Sequence, residues 1–382
     1  MIQKLRNLIG LAIVSALLAS CGGSADQSPV FHSETNPELL SEWHMLSVKD
    51  KTLQLGERVT PYDLNTPLFS DYAHKLRTIW MPEGKAANYD ANDAFDFPVG
   101  TVITKTFYYQ VPVGSSAKDG SVLRNADNTS QLLNAGFELP SVRLVETRIL
   151  VNRATGWVAL PYVWNEEQTD AVLKRTGDIK NLKLVDEKNQ KKLFSYVVPN
   201  TNQCAGCHAT NSVTRKIQPI GLKARHLNKI YTYKDRAENQ LVRWQASGFL
   251  HGVPESSRVP RNALWNDTNV ALDQRARSYL DINCSHCHNR NGAASTSGLL
   301  LELDSPNGLS LGVCKLPIAA GTGTGDRKFG IVPGKPDESI FTYRIASTNP
   351  EEMMPELGRS VSHDEGVALI RQWIAEMRGA CP

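Results

Sequence analysis

The stretch Val142-Arg-Leu-Val-Glu-Thr-Arg-Ile-Leu-Val151, Asn152-Arg-Ala-Thr-Gly156, Trp157-Val-Ala-Leu-Pro-Tyr-Val-Trp164 sets the fold of the first half of the chain. Two runs rich in β-branched and aromatic residues flank five residues of turn chemistry, which predicts an antiparallel hairpin. A further strand-like run covers residues 101–113. A second hairpin is predicted from residues 182–185 through the turn 186–189 to residues 192–198. Pro61, Pro67, Pro82, Pro98, Pro112 and Pro140 interrupt the segment and argue against long helices in it. Residues 41–200 therefore read as a β-rich, β-sandwich-like domain.

After residue 200 the pattern turns helical. Leu241 and Trp244 stand three apart, with Gly248 as a stop, and residues 269–283 form a second candidate. In the last helix Val367, Ile370, Ile374 and Met377 recur at helical spacing, and Ser362 with Glu365 reads as a capping box. The fold expected is α+β and multidomain. The predicted order is a leader (1–20), a tether (21–40), the β-rich domain (41–200), a first motif segment (201–262) and a mostly α-helical region (263–382).

The chain has 382 residues, with 42 basic against 39 acidic side chains and 41% hydrophobic residues. That composition suits a globular protein, and the near balance of charge offers no field to attract nucleic acid. Lys4 and Arg6 precede an apolar run at residues 8–18, too short to cross a hydrocarbon core of about 30 Å. Leu18-Ala19-Ser20-Cys21-Gly22 follows and resembles the lipobox of bacterial lipoproteins. The resemblance implies cleavage before Cys21 and lipid on its sulfur. Gly22, in place of an aspartate, implies sorting to the outer membrane, with the chain at its periplasmic or cell-surface face. Removing residues 1–20 leaves 40 basic against 39 acidic groups.

One short motif occurs twice, as Cys204-Ala-Gly-Cys207-His208 and Cys284-Ser-His-Cys287-His288. Composition alone would supply about 0.003 copies of Cys-x-x-Cys-His. On a helical turn the two thiols share a face and reach the two vinyl groups of one haem, and the adjacent histidine becomes an axial ligand. Cys204, Cys207, Cys284 and Cys287 are therefore read as attachment sites for two covalent c-type haems, with His208 and His288 on the irons. Zinc is the alternative, but the gap from Cys207 to Cys284 exceeds ordinary ribbon spacing and zinc needs no histidine after each pair. A redox dithiol would want a βαβ setting, which is missing.

Near the end stands Asn349-Pro-Glu-Glu-Met353-Met354-Pro355-Glu356-Leu357-Gly358. Met354 is the first choice for the sixth ligand of the second iron, and Met353 the second. His/Met ligation raises the potential and fills both axial positions. No methionine lies between His208 and Met353. For the first iron His226, His251, Met81 and Met45 are candidates, and none is assigned. His286 reads as a spacer. With the lipid and haem cysteines subtracted, Cys314 and Cys381 remain, and an exported chain would pair them in a disulfide. Gly321-Thr-Gly323-Thr-Gly325 follows no clear strand, and Gly334-Lys335 runs into Pro336, so neither reads as a phosphate loop. Asp90, Asp93 and Asp96 read as solvated turn carboxylates.

Ala276-Arg-Ser-Tyr-Leu-Asp-Ile-Asn-Cys284-Ser-His-Cys287-His288, Ile331-Val-Pro-Gly334, Met354-Pro355 and Leu369-Ile-Arg-Gln-Trp373-Ile resemble an exported bacterial cytochrome c domain of class-I layout. Pro61-Tyr-Asp-Leu-Asn-Thr-Pro-Leu-Phe-Ser-Asp71, Trp164-Asn-Glu-Glu-Gln-Thr-Asp170 and Gln203-Cys204 resemble the β-domain-plus-haem module of dihaem cytochrome lipoproteins. Related forms are fused to quinoprotein sugar dehydrogenases. The resemblance identifies kinship and no activity; the two motifs and Met354 make an electron carrier the expectation ahead of a catalyst, with a redox protein such as a quinoprotein dehydrogenase or another cytochrome as partner. The alternative is a peroxidase-like dihaem enzyme with a substrate-accessible first haem.

Overall fold

The computed structural model describes residues 28–125, 137–318 and 320–382. Cys21 and the leader lie outside the described residues. The predicted hairpin forms: strand Val142–Arg153 pairs antiparallel with Gly156–Trp164, Arg153 opposite Gly156. Gly156 takes φ +110° in this turn, a conformation that glycine adopts without a Cβ clash. The hairpin is the centre of a six-stranded antiparallel sheet ordered Ala171–Leu173, Gly156–Trp164, Val142–Arg153, Val102–Gln110, His74–Trp80 and Thr60–Tyr62. Its pleat sends alternate side chains to opposite faces.

One face carries Leu76, Trp80, Leu144, Ile149, Leu160 and Trp164, packed with Trp43, Leu46 and Leu53 from the N-terminal segment. Residues 28–40, at the end of the expected tether, are fastened here. Arg153 donates to the carbonyls of His32 and Thr35, and Tyr162 Oη donates to Pro37 O at 2.8 Å. The other face carries two apolar patches. Ile79, Ile103, Leu150 and Ala159 meet Cys204, Leu241, Trp244 and Ile282. Phe107, Tyr109 and Val163 meet the second predicted hairpin, Asp178–Val185 with Lys191–Val198.

The expected division into a β-sandwich-like domain and a mostly α-helical class-I-type cytochrome c region is not what forms. The large sheet faces small three-stranded sheets rather than a second sheet of its own size. The helices are α1 Thr201–His208, α2 Ala224–Leu227, α3 Gln240–Ala246, α4 Leu272–Cys284, α5 Ile340–Ala346 and α6 Asp364–Ala375. Among the described residues of 263–382, α4, α5 and α6 are the α-helices, with 13, 7 and 12 residues. Glycines and prolines recur from Gly292 to Pro336, and they break that stretch into turns and 3₁₀ segments. The capping box expected at Ser362 is also absent. His363 is the N-cap residue and makes no side-chain cap bond. Glu365 is drawn instead to Arg124, at 2.8 Å, and to the Tyr72 hydroxyl, at 2.8 Å. Cys314 and Cys381 are joined by a disulfide across a separation of 67 residues, tying the segment after α6 to the residue that follows the isolated Val313–Ile331 bridge.

Helix α4 is fixed by polar contacts from several segments. Asp281 is buried and accepts from Arg225 Nε at 2.7 Å, Arg225 Nη2 at 2.9 Å, Asn262 Nδ2 at 3.0 Å and the amide of Leu303 at 3.3 Å. Burial opposes its ionisation, but the Arg225 hydrogen bonds, the His226 and Arg225 charges and the Asn262 amide hold its carboxyl well below the usual range. That depression adds stability above about pH 4, which is lost as pH falls toward the folded-state value. Asp281→Ala leaves a buried guanidinium unpaired and should cost about 3–5 kcal/mol in chemical denaturation. The variant should also show a weaker fall in stability than the parent below pH 4, and equal acid limbs would refute the assignment.

Candidate functional site

The first motif is the whole of α1's second half. Asn200 caps the helix by accepting from Gln203 N at 2.8 Å, and Gln203 Oε1 accepts from Asn200 N at 2.9 Å. This reciprocal cap starts the helix where the motif requires it. Cys204 is 7% exposed and belongs to the apolar cluster that includes Ile103, Leu150 and Ala159 of the sheet, whereas Cys207 is half-buried. At the helix end, His208 Nδ1 lies 2.7 Å from the carbonyl oxygen of Gln218. A carbonyl only accepts, so Nδ1 carries the proton and Nε2 keeps its lone pair for a metal. Burial, then the positive charge of Lys105, holds this imidazole down at about 4, so it is neutral across physiological pH.

The second motif begins at the last residue of α4 and continues its turn. The amides of Cys287 and His288 both donate to Cys284 O, at 3.1 and 2.9 Å. Cys284 and Cys287 therefore share a face of the turn. Gly292 is required beside it, because a Cβ there would meet Cys287 O at 2.2 Å. His288 Nδ1 lies 3.2 Å from Ser297 Oγ, which donates its own proton to Ala294 O at 2.7 Å. Ser297 thus offers His288 a lone pair, and again the tautomer leaves Nε2 bare. Burial, ahead of the His286 charge, holds His288 at about 4.

A cavity of about 490 Å³ takes in Cys284, Cys287, His288 and Met354 together. Leu299, Leu301, Ile340 and Phe341 give it apolar walls, and its size suits a cofactor, for which roughly 300–1,000 Å³ is usual. Met354 lines this cavity, while the alternative Met353 is buried away from its wall. The loop that presents Met354 is held by Arg359, a 7% exposed guanidinium with no carboxylate within ion-pair distance among the described residues. Its Nη2 donates to the carbonyls of Met354 and Ser347, both at 2.8 Å, and of Arg344 at 3.2 Å, and Nη1 donates to Val361 O at 3.3 Å. Asp71 from the β-rich half accepts from the amides of Ser360 and Val361 at 2.6 and 2.8 Å.

The two motifs touch. Gly206 and Cys207 lie on the wall of the cavity that the second motif lines. Cys287 Sγ is 3.7 Å from Gly206 O, and Ser212 N donates to Asn291 O at 2.7 Å. With both thiols free, a hydrogen bond from Cys287 draws the Cys207 thiol down, ahead of His286, and pushes the Cys287 thiol up. His286, read as a spacer, is instead buried between the motifs, with Nδ1 lacking a hydrogen-bond partner. No cluster of three or more His, Cys, Asp or Glu among the described residues is arranged to hold a metal ion.

The sixth-ligand candidates for the first motif are dispersed. Met45 lies in the core on the opposite face of the sheet, His251 is exposed, and His226 faces Asp281 at 3.5 Å. Met81 alone shares the apolar cluster of Cys204. Sequence reading missed Arg359, His286 and the basic side chains under the first motif. For the last group no local signal stood out, since Lys75, Arg77, Lys105 and Arg148 sit in strands that also carry Thr78, Thr104, Thr106 and Thr147. Arg359→Ala should free the Met354 loop, raising amide exchange across residues 344–361 at least tenfold while α4 keeps its protection. Unchanged exchange there would remove Arg359 from that role. No family model, curated protein or solved structure matches the chain.

Proposed function

We propose that this chain is an exported dihaem c-type cytochrome that carries electrons between redox partners. The observation that supports it best is the shared cavity of Cys284, Cys287, His288 and Met354, with Cys207 of the other motif on its wall. Haem supplies a one-electron iron couple at each motif. Cys204 and Cys207 would hold one group and Cys284 and Cys287 the other, with His208 and His288 as axial ligands. The chain's own contribution begins with tautomers: Gln218 O and Ser297 Oγ keep each Nε2 unprotonated. Arg359 holds the backbone of Met354, whose thioether lines the same cavity as His288 and would serve as the second ligand of that iron, closing it to substrate.

Leu316 and Ile318 line the cavity and are 58% and 65% exposed. They form the apolar rim at which a protein partner, a quinoprotein dehydrogenase or another cytochrome, would dock. The Leu18-to-Gly22 signal supports a lipid anchor on Cys21 in the outer membrane, so Cys21→Ser should release the protein into the soluble periplasmic fraction.

The test is a pyridine haemochrome assay on protein matured in the periplasm. Two covalent haems per chain are expected, one after Cys204→Ala/Cys207→Ala, and one after Cys284→Ala/Cys287→Ala. No haem on the parent chain would sink the proposal. Met354→Ala should lower the potential of one haem and let it bind carbon monoxide, because a methionine ligand both raises the potential and blocks the site. A variant that still excludes carbon monoxide would exclude Met354 as that ligand.

A further inference from the structure

Strands His74–Trp80, Val102–Gln110 and Val142–Arg153 align two short rows of side chains across the sheet face that carries the first motif. Arg77 stands opposite Lys105, and Lys105 opposite Arg148. In the next row Lys75 stands opposite Phe107, and Phe107 opposite Glu146. Three of these cations converge on one aromatic ring. Lys75 Nζ lies 5.8 Å, Lys105 Nζ 5.2 Å and Arg148 Cζ 4.3 Å from the Phe107 centroid.

The carboxylates nearby do not match them. Glu146 pairs with Arg148, accepting from its Nε at 2.8 Å, and also takes the Tyr196 hydroxyl at 2.7 Å. Asp63 pairs with Arg77 at 2.8 Å and is shared by Lys229 at 2.9 Å. Lys75 is 2% exposed and donates to Ala73 O at 2.8 Å. Among the described residues neither Lys75 nor Lys105 has a carboxylate within ion-pair distance. Lys75 is buried and Lys105 half-buried; an ammonium drawn out of water with no anion at ion-pair distance is costly, so the pair offers a place for negative charge.

Their place on the sheet says where those charges come from. Ile103 and Leu150, in the apolar cluster that also holds Cys204, precede Lys105 and follow Arg148 by two residues on the same strands and the same face. At a strand rise of about 3.3 Å per residue, the basic patch begins roughly 7 Å from that part of the cluster, and the charges of Arg148 and Lys105 reach the Cys204 thiol. A c-type haem carries two propionate carboxylates and is tethered by its cysteines. We propose that Lys75 and Lys105 form the carboxylate-binding site for the haem attached at Cys204 and Cys207. This rests on the dihaem reading above. The lysines then act as positioning residues and as fixed charge beside the first iron.

The experiment compares the full, haem-loaded chain with Lys75→Met, Lys105→Met and Lys105→Arg by haem count and potentiometric titration. Each is repeated in the Cys284→Ala/Cys287→Ala background, which leaves only the first motif. Both methionine variants should keep their covalent haem, and the potential of the first haem should fall, because losing a nearby positive charge favours ferric iron. Lys105→Arg should restore it. Should a methionine variant fail to accumulate, Lys105→Gln with the same readout decides. Full haem content with an unmoved first potential overturns the proposal while leaving the dihaem reading intact, and an apo parent chain overturns both. Inorganic phosphate that shifts the potential of the parent but not of Lys105→Met would show the patch open to a free oxyanion, which also overturns it.

Discussion

Helix α4 is the member on which the geometry of the site depends, and one buried carboxylate fixes it. Asp281 is met by a guanidinium from α2, an amide from Asn262 and a backbone N–H from Leu303, beyond the second motif. Two residues on, Asn283 Oδ1 accepts from the amide of Phe69 in the β-rich half at 2.8 Å. Two residues before, the Tyr279 hydroxyl is 2.9 Å from His363 Nδ1, and His363 stacks on Phe69 with ring centroids 4.3 Å apart. Both oxygens of Asp281, the Asn283 amide and the Tyr279 hydroxyl are partnered in this set, and a buried network that is satisfied in this way specifies a structure. Cys284 closes α4 and its motif continues the same turn, so the position of both thiols and of His288 follows from these contacts.

The same logic sets the opposite wall of the cavity. Arg359 has only backbone carbonyls as partners, and four of them come from the segment that begins at Arg344 and ends at Val361. A cation shared among carbonyls is satisfied without a counter-charge, and its five donors suit a loop that has no regular structure of its own. Asp71 then ties the end of that loop to the sheet region. The half of the chain with strands thus holds both sides of the cavity, through Phe69 on α4 and through Asp71 on the Met354 loop.

What the sequence made legible was local. The hairpin at Val142–Trp164 rests on period-two patterning and turn residues a few positions apart, and both Cys-x-x-Cys-His turns rest on five residues each. The Cys314–Cys381 pair came from subtraction and needed no geometry. The mostly helical reading of the C-terminal third failed because the class-I layout implied by the resemblance was carried across the stretch from Gly292 to Pro336, where recurring glycines and prolines leave turns and 3₁₀ segments between α4 and α5. The capping pair at Ser362 failed for a different reason: Arg124, more than 200 residues away, competes for Glu365. Arg359, His286 and the lysines of the sheet carry no local signature, since what makes each informative is a partner brought by register or by another loop.

Contact between the motifs changes how the site should be regarded. Gly206 has no Cβ, and one placed there would come within 3.3 Å of Leu357, a residue of the second motif's cavity. Cys287 approaches the backbone at that glycine, and Asn291 accepts from Ser212 just beyond the first motif. Two turns with 75 residues of chain between His208 and Cys284 therefore share one wall. Charge is distributed unevenly about that wall: the first motif lies over a sheet face with unmatched lysines, and the second opens into an apolar cavity beside Leu299, Ile340 and Phe341. Groups of identical chemistry held at the two motifs would meet different fields, the first through nearby positive charge and the second through burial and a thioether. A chain that needs two unequal centres in contact has the means to make them so in the residues around each, without changing the motif itself.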